Sequence, residues 1–144
     1  MGGGWRLLRT SWPDPASNLA LEWALLKSVR SGPAPSTIRL WTNPSCVVID
    51  RSGLSLSEVR REACLRLGIP VLRRPTAGGA VYHDDGNLNW TLVAKREDLP
   101  DLRWPSEIEG AVAKPILALL ADLGLGGHLR RGEGIFVGEL KVSG

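Results

Sequence analysis

At 144 residues the chain has the length of about one domain, and 43% hydrophobic against 23% charged residues is the composition of an ordinary globular protein, which excludes a multidomain machine and a disordered or fibrous chain. Two cysteines, Cys46 and Cys64, are too few for a disulfide framework, and His83 and His128 lack the paired spacing of a zinc site, so no protein-held metal is expected and a reducing, cytoplasmic compartment is. The net charge of +3 is carried mainly by arginines spread along the chain, which suits an acidic partner or phosphate ligand better than nucleic acid, and no apolar run is long enough for a secretory signal or a membrane span.

In chain order, residues 5–9 read as a strand and Trp12-Pro13-Asp14-Pro15 as a turn. Asn18 is a fitting N-cap for a largely buried helix over 19–30, in which Leu19, Trp23, Leu26 and Arg30 recur at helical spacing. Residues 38–41 and 46–49 are short apolar runs separated by Asn43-Pro44-Ser45 and read as two strands. Ser55-Leu56-Ser57-Glu58 has the form of a capping box opening a helix with Leu56, Val59, Ala63 and Leu67 on one face, ended by Gly68. Strands follow at 69–73, 80–82 and 88–93, with a turn at 75–79. A helix over 106–123 should be kinked or interrupted at Pro115 and stop at Gly124. Residues 131–142 hold a last hairpin with Gly138-Glu139 at its turn. Strands and helices therefore mix without βαβ alternation, and the expected class is α+β: one domain, residues 1–144, with a mixed, mainly antiparallel sheet and helices packed on it.

The stretch that carries chemistry is Arg73-Arg74-Pro75-Thr76-Ala77-Gly78-Gly79-Ala80-Val81-Tyr82-His83-Asp84-Asp85-Gly86-Asn87. Paired glycines allow a backbone turn with φ > 0 and bring amides close to a ligand, while arginines supply permanent positive charge. Such parts make an anion cradle, although a Gly-Gly pair is more commonly a plain tight turn and two arginines are more commonly solvated strand-end charges. Thr76 suits a phosphate contact and a turn-stabilising bond about equally. His83 and Asp84 point to opposite faces of a strand, so they do not form an acid/base pair, and His83 reads as a supporting residue. Cys46 and Cys64 fall in apolar patterns and read as core residues, as do Trp12, Trp23, Trp41 and Trp90.

The run RRPTAGGAVYHDDGNLNWT closely resembles the signature of lipoate-protein ligases, of the biotin/lipoate A/B protein ligase family. The terminal LKVSG resembles that family's lysine motif, and WRLLRT, NLALEWALL and RLWTNPSCVVIDRSG resemble its N-terminal pieces in the same order. The resemblance covers about residues 5–144. It implies the biotin/lipoate ligase fold, related to class II aminoacyl-tRNA synthetases, and carboxylate activation by ATP with Mg2+ to an acyl-adenylate. The acyl group then passes to a lysine of an acceptor, a lipoyl domain of a 2-oxoacid dehydrogenase complex or a glycine cleavage H protein. By the same resemblance Lys141 is the catalytic residue beside the mixed anhydride. Arg74, Thr76, Gly78, Gly79, Ala80, Val81, Tyr82 and His83 are the substrate- and adenylate-binding set, with lipoate as the acid.

Three departures stand out. Ala77 replaces the first of three family glycines, Asp50 stands where the family usually has glycine, and the family's catalytic domain continues past the point where this sequence stops at Gly144. The expectation is therefore the N-terminal part of a catalytic domain, apparently truncated and catalytically poor alone, with a complementary polypeptide as one way to complete it. An octanoyl or lipoyl transferase of the same fold, working through a cysteine without ATP, and a non-catalytic fragment or split subunit are the alternatives.

Overall fold

The computed structural model describes residues 4–99, 102 and 104–144; the Met1-Gly2-Gly3 start, read above for a secretory signal, lies outside them. The chain divides into two compact units, Met1–Asp98 and Leu99–Gly144. The first contains β1 (Arg6–Arg9), α1 (Pro15–Arg30), β2 (Thr37–Trp41), β3 (Cys46–Ile49), a 3-10 turn (Leu54–Glu58), α2 (Arg61–Arg66), β4 (Val71–Arg73), β5 (Val81–His83) and β6 (Asn89–Val93). The second contains α3 (Pro105–Asp122), β7 (Gly127–Arg130), β8 (Gly134–Val137) and β9 (Leu140–Ser143).

Three sheets of three strands result, ordered β1-β2-β6, β4-β3-β5 and β7-β8-β9. β1 and β4 run parallel to their neighbours and the other pairings are antiparallel, which gives the mixed, mainly antiparallel α+β class expected from the sequence. In the first unit Leu19 of α1, Trp41 of β2 and Cys46 and Val48 of β3 form one buried cluster, so α1 and two sheets share a core. Leu25, Val29, Ala34 and Val93 form a second. No described helix is long and apolar enough to cross a membrane.

Several sequence expectations are corrected. α1 begins four residues earlier than Asn18 implies: Asp14 is the N-cap, accepting from the N–H of Ser17 at 2.8 Å, and Pro15 takes the first helical position where its missing N–H costs nothing. The helix is also less buried than its apolar content suggests, because Trp23 and Leu26 lie on its outer face. Among the four tryptophans expected in the core only Trp41 is there. Trp23 carries the Lys27 ammonium over its ring, Trp90 points to the outer side of β6 by strand alternation, and Trp12 is 43% exposed.

The capping box at 55–58 does not open a helix. The Ser55 hydroxyl bonds the Asp50 carboxylate at 2.6 Å, and the Glu58 carboxylate accepts from the N–H of Ala80 at 2.9 Å, so both capping groups are taken by tertiary partners. The chain makes a 3-10 turn, goes extended at Val59, and starts α2 at Arg61, with Cys64 buried and Leu67 exposed. α3 continues through Pro115 as one element rather than being interrupted. The strand at 127–130 was not read from the sequence, and the hairpin that follows turns at Gly138-Glu139 as expected.

Candidate active site

The loop after β4 is built around the Arg74 guanidinium. Its Nε donates to Thr76 Oγ1 at 3.1 Å, one terminal nitrogen to the Val48 carbonyl at 3.2 Å, and the other to the carbonyls of Ala77 and Gly79 at 2.9 and 2.8 Å. Four of the five guanidinium N–H groups thus buckle the loop onto β3. Further ties run from the Arg51 N–H to the Thr76 carbonyl and from the Ala80 N–H to Glu58. Gly78 adopts φ +115, and a Cβ there would lie 2.7 Å from an Arg74 nitrogen, so both conformation and space require glycine. Ala77 has no positive φ, which explains how a side chain replaces a glycine at that position.

The result is a ring of carbonyls turned inward on a cation. The N–H groups of Ala77, Gly78 and Gly79 donate to nothing among the described residues, and Thr76 to Gly79 are exposed. Free amides on an arginine-pinned turn form a concavity for an anion. Val81 and Tyr82 continue from the loop into β5 at the sheet edge, both well exposed. Asp50 holds the adjoining turn: its carboxylate accepts from the N–H groups of Ser52 and Ser55 at 2.9 and 3.0 Å and from both hydroxyls. The Ser52 hydroxyl bond first, then that of Ser55, hold its pKa well below the ordinary carboxylate range.

Behind this loop lies a buried polar network that the sequence reading missed. Arg39 of β2 is fully buried and donates to Glu22 at 2.5 Å, to the Asn18 carbonyl at 2.9 Å and Oδ1 at 3.0 Å, and to the Thr10 carbonyl at 2.9 Å. Its guanidinium lies 4.5 Å from the centre of the Trp41 ring. Thr91 donates to the second oxygen of Glu22 and accepts from Trp41 Nε1. Asn18 Nδ2 donates to Asn43 Oδ1 at 3.0 Å, and Asn43 Nδ2 reaches Cys46 Sγ and His83 Nδ1, both at 3.2 Å. Two signals pointed here: Thr37, Arg39 and Trp41 share one face of an apolar strand, so a charge there demands a partner, and Asn18 and Glu22 lie one turn apart on α1.

His83 therefore sits at the junction of network and loop, half-buried and edge-on to Trp41 with ring centres 5.7 Å apart. Burial, then the Arg74 charge, lower its pKa from the ordinary 6.5, with Asp84 acting the other way. Cys46 is fully buried and its thiol is pushed up to about 11 by desolvation, and Cys64 is buried, as the apolar patterns indicated. Lys141 is exposed on β9 of the second unit, opposite Phe136 of β8. Gly134, at the start of β8, has φ +133, and a Cβ there would lie 2.2 Å from the Ser143 carbonyl, so the last strand closes tightly on its partner. Among the described residues no three His, Cys, Asp or Glu side chains come together in a metal-holding group.

A family model, the lipoyl protein ligase A/B catalytic domain, matches residues 14–144. The chain belongs to that family. It is 37% identical over 139 residues to a protein of Aeropyrum pernix that carries the lipoate-protein ligase A name, covering 96% of this chain and 50% of the relative. It is 36% identical over 125 residues to the octanoyltransferase LipM of Moorella thermoacetica, covering 83% of this chain and 44% of that one. Among solved structures, a lipoate-protein ligase A bound with ATP superposes with TM-score 0.81 at 26% identity, over 98% of this chain and 59% of that one. A structure from the archaeal lipoylation system of Thermoplasma acidophilum, described as a bi-partite lipoate protein ligase and its E2 lipoyl domain, gives TM-score 0.75 at 24% identity over 95% and 52% of the two chains. The fold is that of lipoate-protein ligases, and the chain spans about half the length of the curated relatives it matches.

Proposed function

We propose that this chain carries the adenylate-forming portion of an ATP-dependent lipoate-protein ligase, one that activates lipoate to lipoyl-AMP and passes the acyl group to a lysine of an acceptor lipoyl domain. The observation that supports this reading best is the Arg74 loop, a fixed cation with three unoccupied backbone amides on an exposed turn. Joining a carboxylate to an α-phosphate brings two anions together while charge moves onto pyrophosphate, and preset dipoles and cations oppose that repulsion without reorganising. In this reading the free amides of Gly78 and Gly79 and the backbone of the residues leading into β5, Ala80, Val81 and Tyr82, lie along the nucleotide, with the Ala80 N–H kept by Glu58. Thr76 keeps its hydroxyl on Arg74, and Lys141 brings a point charge to the carboxylate and phosphate oxygens.

ATP and lipoate are the substrates, as the ATP-bound neighbour suggests. Magnesium, implied by the family resemblance, would offset the charge of the nucleotide's phosphates. A lipoyl domain of a 2-oxoacid dehydrogenase complex or a glycine cleavage H protein is the acceptor, and a complementary polypeptide, as in the bi-partite neighbour, is one way for the catalytic unit to be completed. The cytoplasm, where both thiols stay free, is the compartment.

The likeness to an octanoyltransferase keeps a second reading in view, acyl transfer without ATP through a cysteine. Neither cysteine of this chain suits that step, Cys46 because desolvation keeps it a thiol and Cys64 because it is buried. The two readings separate in one assay on the chain supplied with the rest of a ligase catalytic unit. Magnesium-dependent pyrophosphate release that requires lipoate, unchanged in a folded Cys46→Ser, Cys64→Ser double variant, is expected. Absence of release, with cysteine-dependent octanoyl transfer instead, would establish the transferase.

A further inference from the structure

The buried network has a direction, and the direction ends on His83. Arginine has only donors, so the guanidinium of Arg39 3.0 Å from Asn18 fixes the oxygen of that amide, which also accepts from the Trp12 N–H at 3.0 Å. Asn18 Nδ2 must then face outward, where it donates to the Trp12 carbonyl at 2.8 Å and to Asn43 at 3.0 Å. That contact fixes the oxygen of Asn43 in turn, leaving its Nδ2 with one proton for Cys46 Sγ and one for His83 Nδ1. Turning either amide over would set N–H against N–H at a fully buried position, at Arg39 for Asn18 and at Asn18 for Asn43. Each link would leave an unsatisfied buried donor if reversed.

We infer that Asn43, held by Asn18 and Arg39, is a positioning residue that fixes His83 as a neutral imidazole with its proton on Nε2, so that the ring meets a bound anion as a hydrogen-bond donor. The nitrogen that carries the proton in a neutral histidine is set by the partner of the other nitrogen, and here that partner can only donate. The charged groups acting on the ring are Arg74 from the loop and Asp84 beside it, and the other groups against it, Asn43, Cys46 and Trp41, are neutral. With Arg74 near, a donor that carries no net charge adds a contact to an anion without like-charge repulsion of the loop's own cation. The donor role toward an anion rests on the adenylate reading above; the protonation state of His83 does not.

The chain has two histidines, so 15N-histidine labelling of the whole 144-residue protein resolves both, and a His128→Asn variant of the exposed second ring assigns them by subtraction. At neutral pH the His83 signals should show a protonated Nε2 and a bare Nδ1. Asn43→Asp puts a carboxylate oxygen opposite Nδ1, and should move the proton to Nδ1 or charge the ring. A wild-type ring protonated at Nδ1, or a folded Asn43→Asp protein with the wild-type pattern, would overturn the relay. The wild-type spectrum alone suffices if that variant misfolds. In the completed enzyme, His83→Gln, whose amide can donate from near the Nε2 position, should retain pyrophosphate release within about 10-fold, while His83→Ala loses more. Equal losses in the two would remove the donor role. No release from the wild type would overturn the adenylate reading, with the spectrum still deciding the relay.

Discussion

Arg74 shows how one side chain can serve a fold and a reaction together. Its bonds to the carbonyls of Ala77 and Gly79 shape the turn whose amides are left free, so the cation and the amides arrive as one preset unit. Arg74→Ala should lower the rate of lipoate-dependent pyrophosphate release by about 10- to 100-fold, the worth of one charge-assisted contact, with a smaller effect on the unfolding midpoint. Arg74→Lys keeps the charge but not the fork that reaches Thr76, Val48, Ala77 and Gly79 from one plane, and should not restore the rate. Steady-state pyrophosphate kinetics on both variants check this, and wild-type rates in either would take Arg74 out of the site. The motif was legible in the sequence because the long run RRPTAGGAVYHDDGNLNWT resembles a family signature, whereas its glycines and arginines alone read as a plain turn. That the arginine grips its own loop was not, since those bonds form only once β3 lies alongside.

Among the elements, α1, β1 and β2 are tied by the buried Arg39. Its carboxylate partner Glu22 is 15% exposed on α1, and Thr10 follows β1, so one guanidinium spans three pieces of chain. Arg39→Ala would strand a nearly buried carboxylate and should cost about 3–5 kcal/mol. Arg130 in the second unit pairs with Glu139, which is 89% exposed, and Arg130→Ala should cost at most about 1 kcal/mol from that pair. Urea denaturation of both variants, read at matched salt, gives the comparison; similar losses would mean the buried pair is not what holds these elements together. The same scale explains the failed capping box. Ser55 and Glu58 have the right spacing for a helix start, but Asp50 and the Ala80 N–H compete for them and win: the Ser55 hydroxyl joins three other donors on a buried carboxylate, and Glu58 takes an N–H that has no other protein partner among the described residues.

For the whole molecule, three acidities move in one direction. Asp14, held chiefly by the Ser17 hydroxyl, and Asp50, held by Ser52 and Ser55, titrate in the folded state below the ordinary 3.8, and His83 titrates below 6.5 because of burial. In each case the unfolded chain takes up the proton first as pH falls, so folding stability declines with acidification. The His83 share should be lost first, as pH drops below about 6.5, and the carboxylate share below about 4. Urea midpoints measured between about pH 7 and 3 should fall in those two stages, with His83→Gln flattening the upper stage and Asp50→Asn the lower. A midpoint that stays level down to about pH 5 would show that His83 is not held neutral in the folded protein.

The class of fold, most of the strands, the loop at 73–80 and the family are legible in the order of residues alone, because period-two apolar runs, turn residues and a long specific motif are local and survive without a partner. That Asp14 rather than Asn18 starts α1, and that Asn18 instead spends its amide on Trp12, Arg39 and Asn43, emerged from the packed chain. Packing also put Trp12, Trp23 and Trp90, read as core residues, on the outside, and made His83 the end of a buried hydrogen-bond chain. The Arg39–Asn18, Asn18–Asn43 and Asn43–His83 contacts join residues 21, 25 and 40 apart in the chain, and a satisfied polar group in a core is settled by its partners, not by its neighbours in sequence.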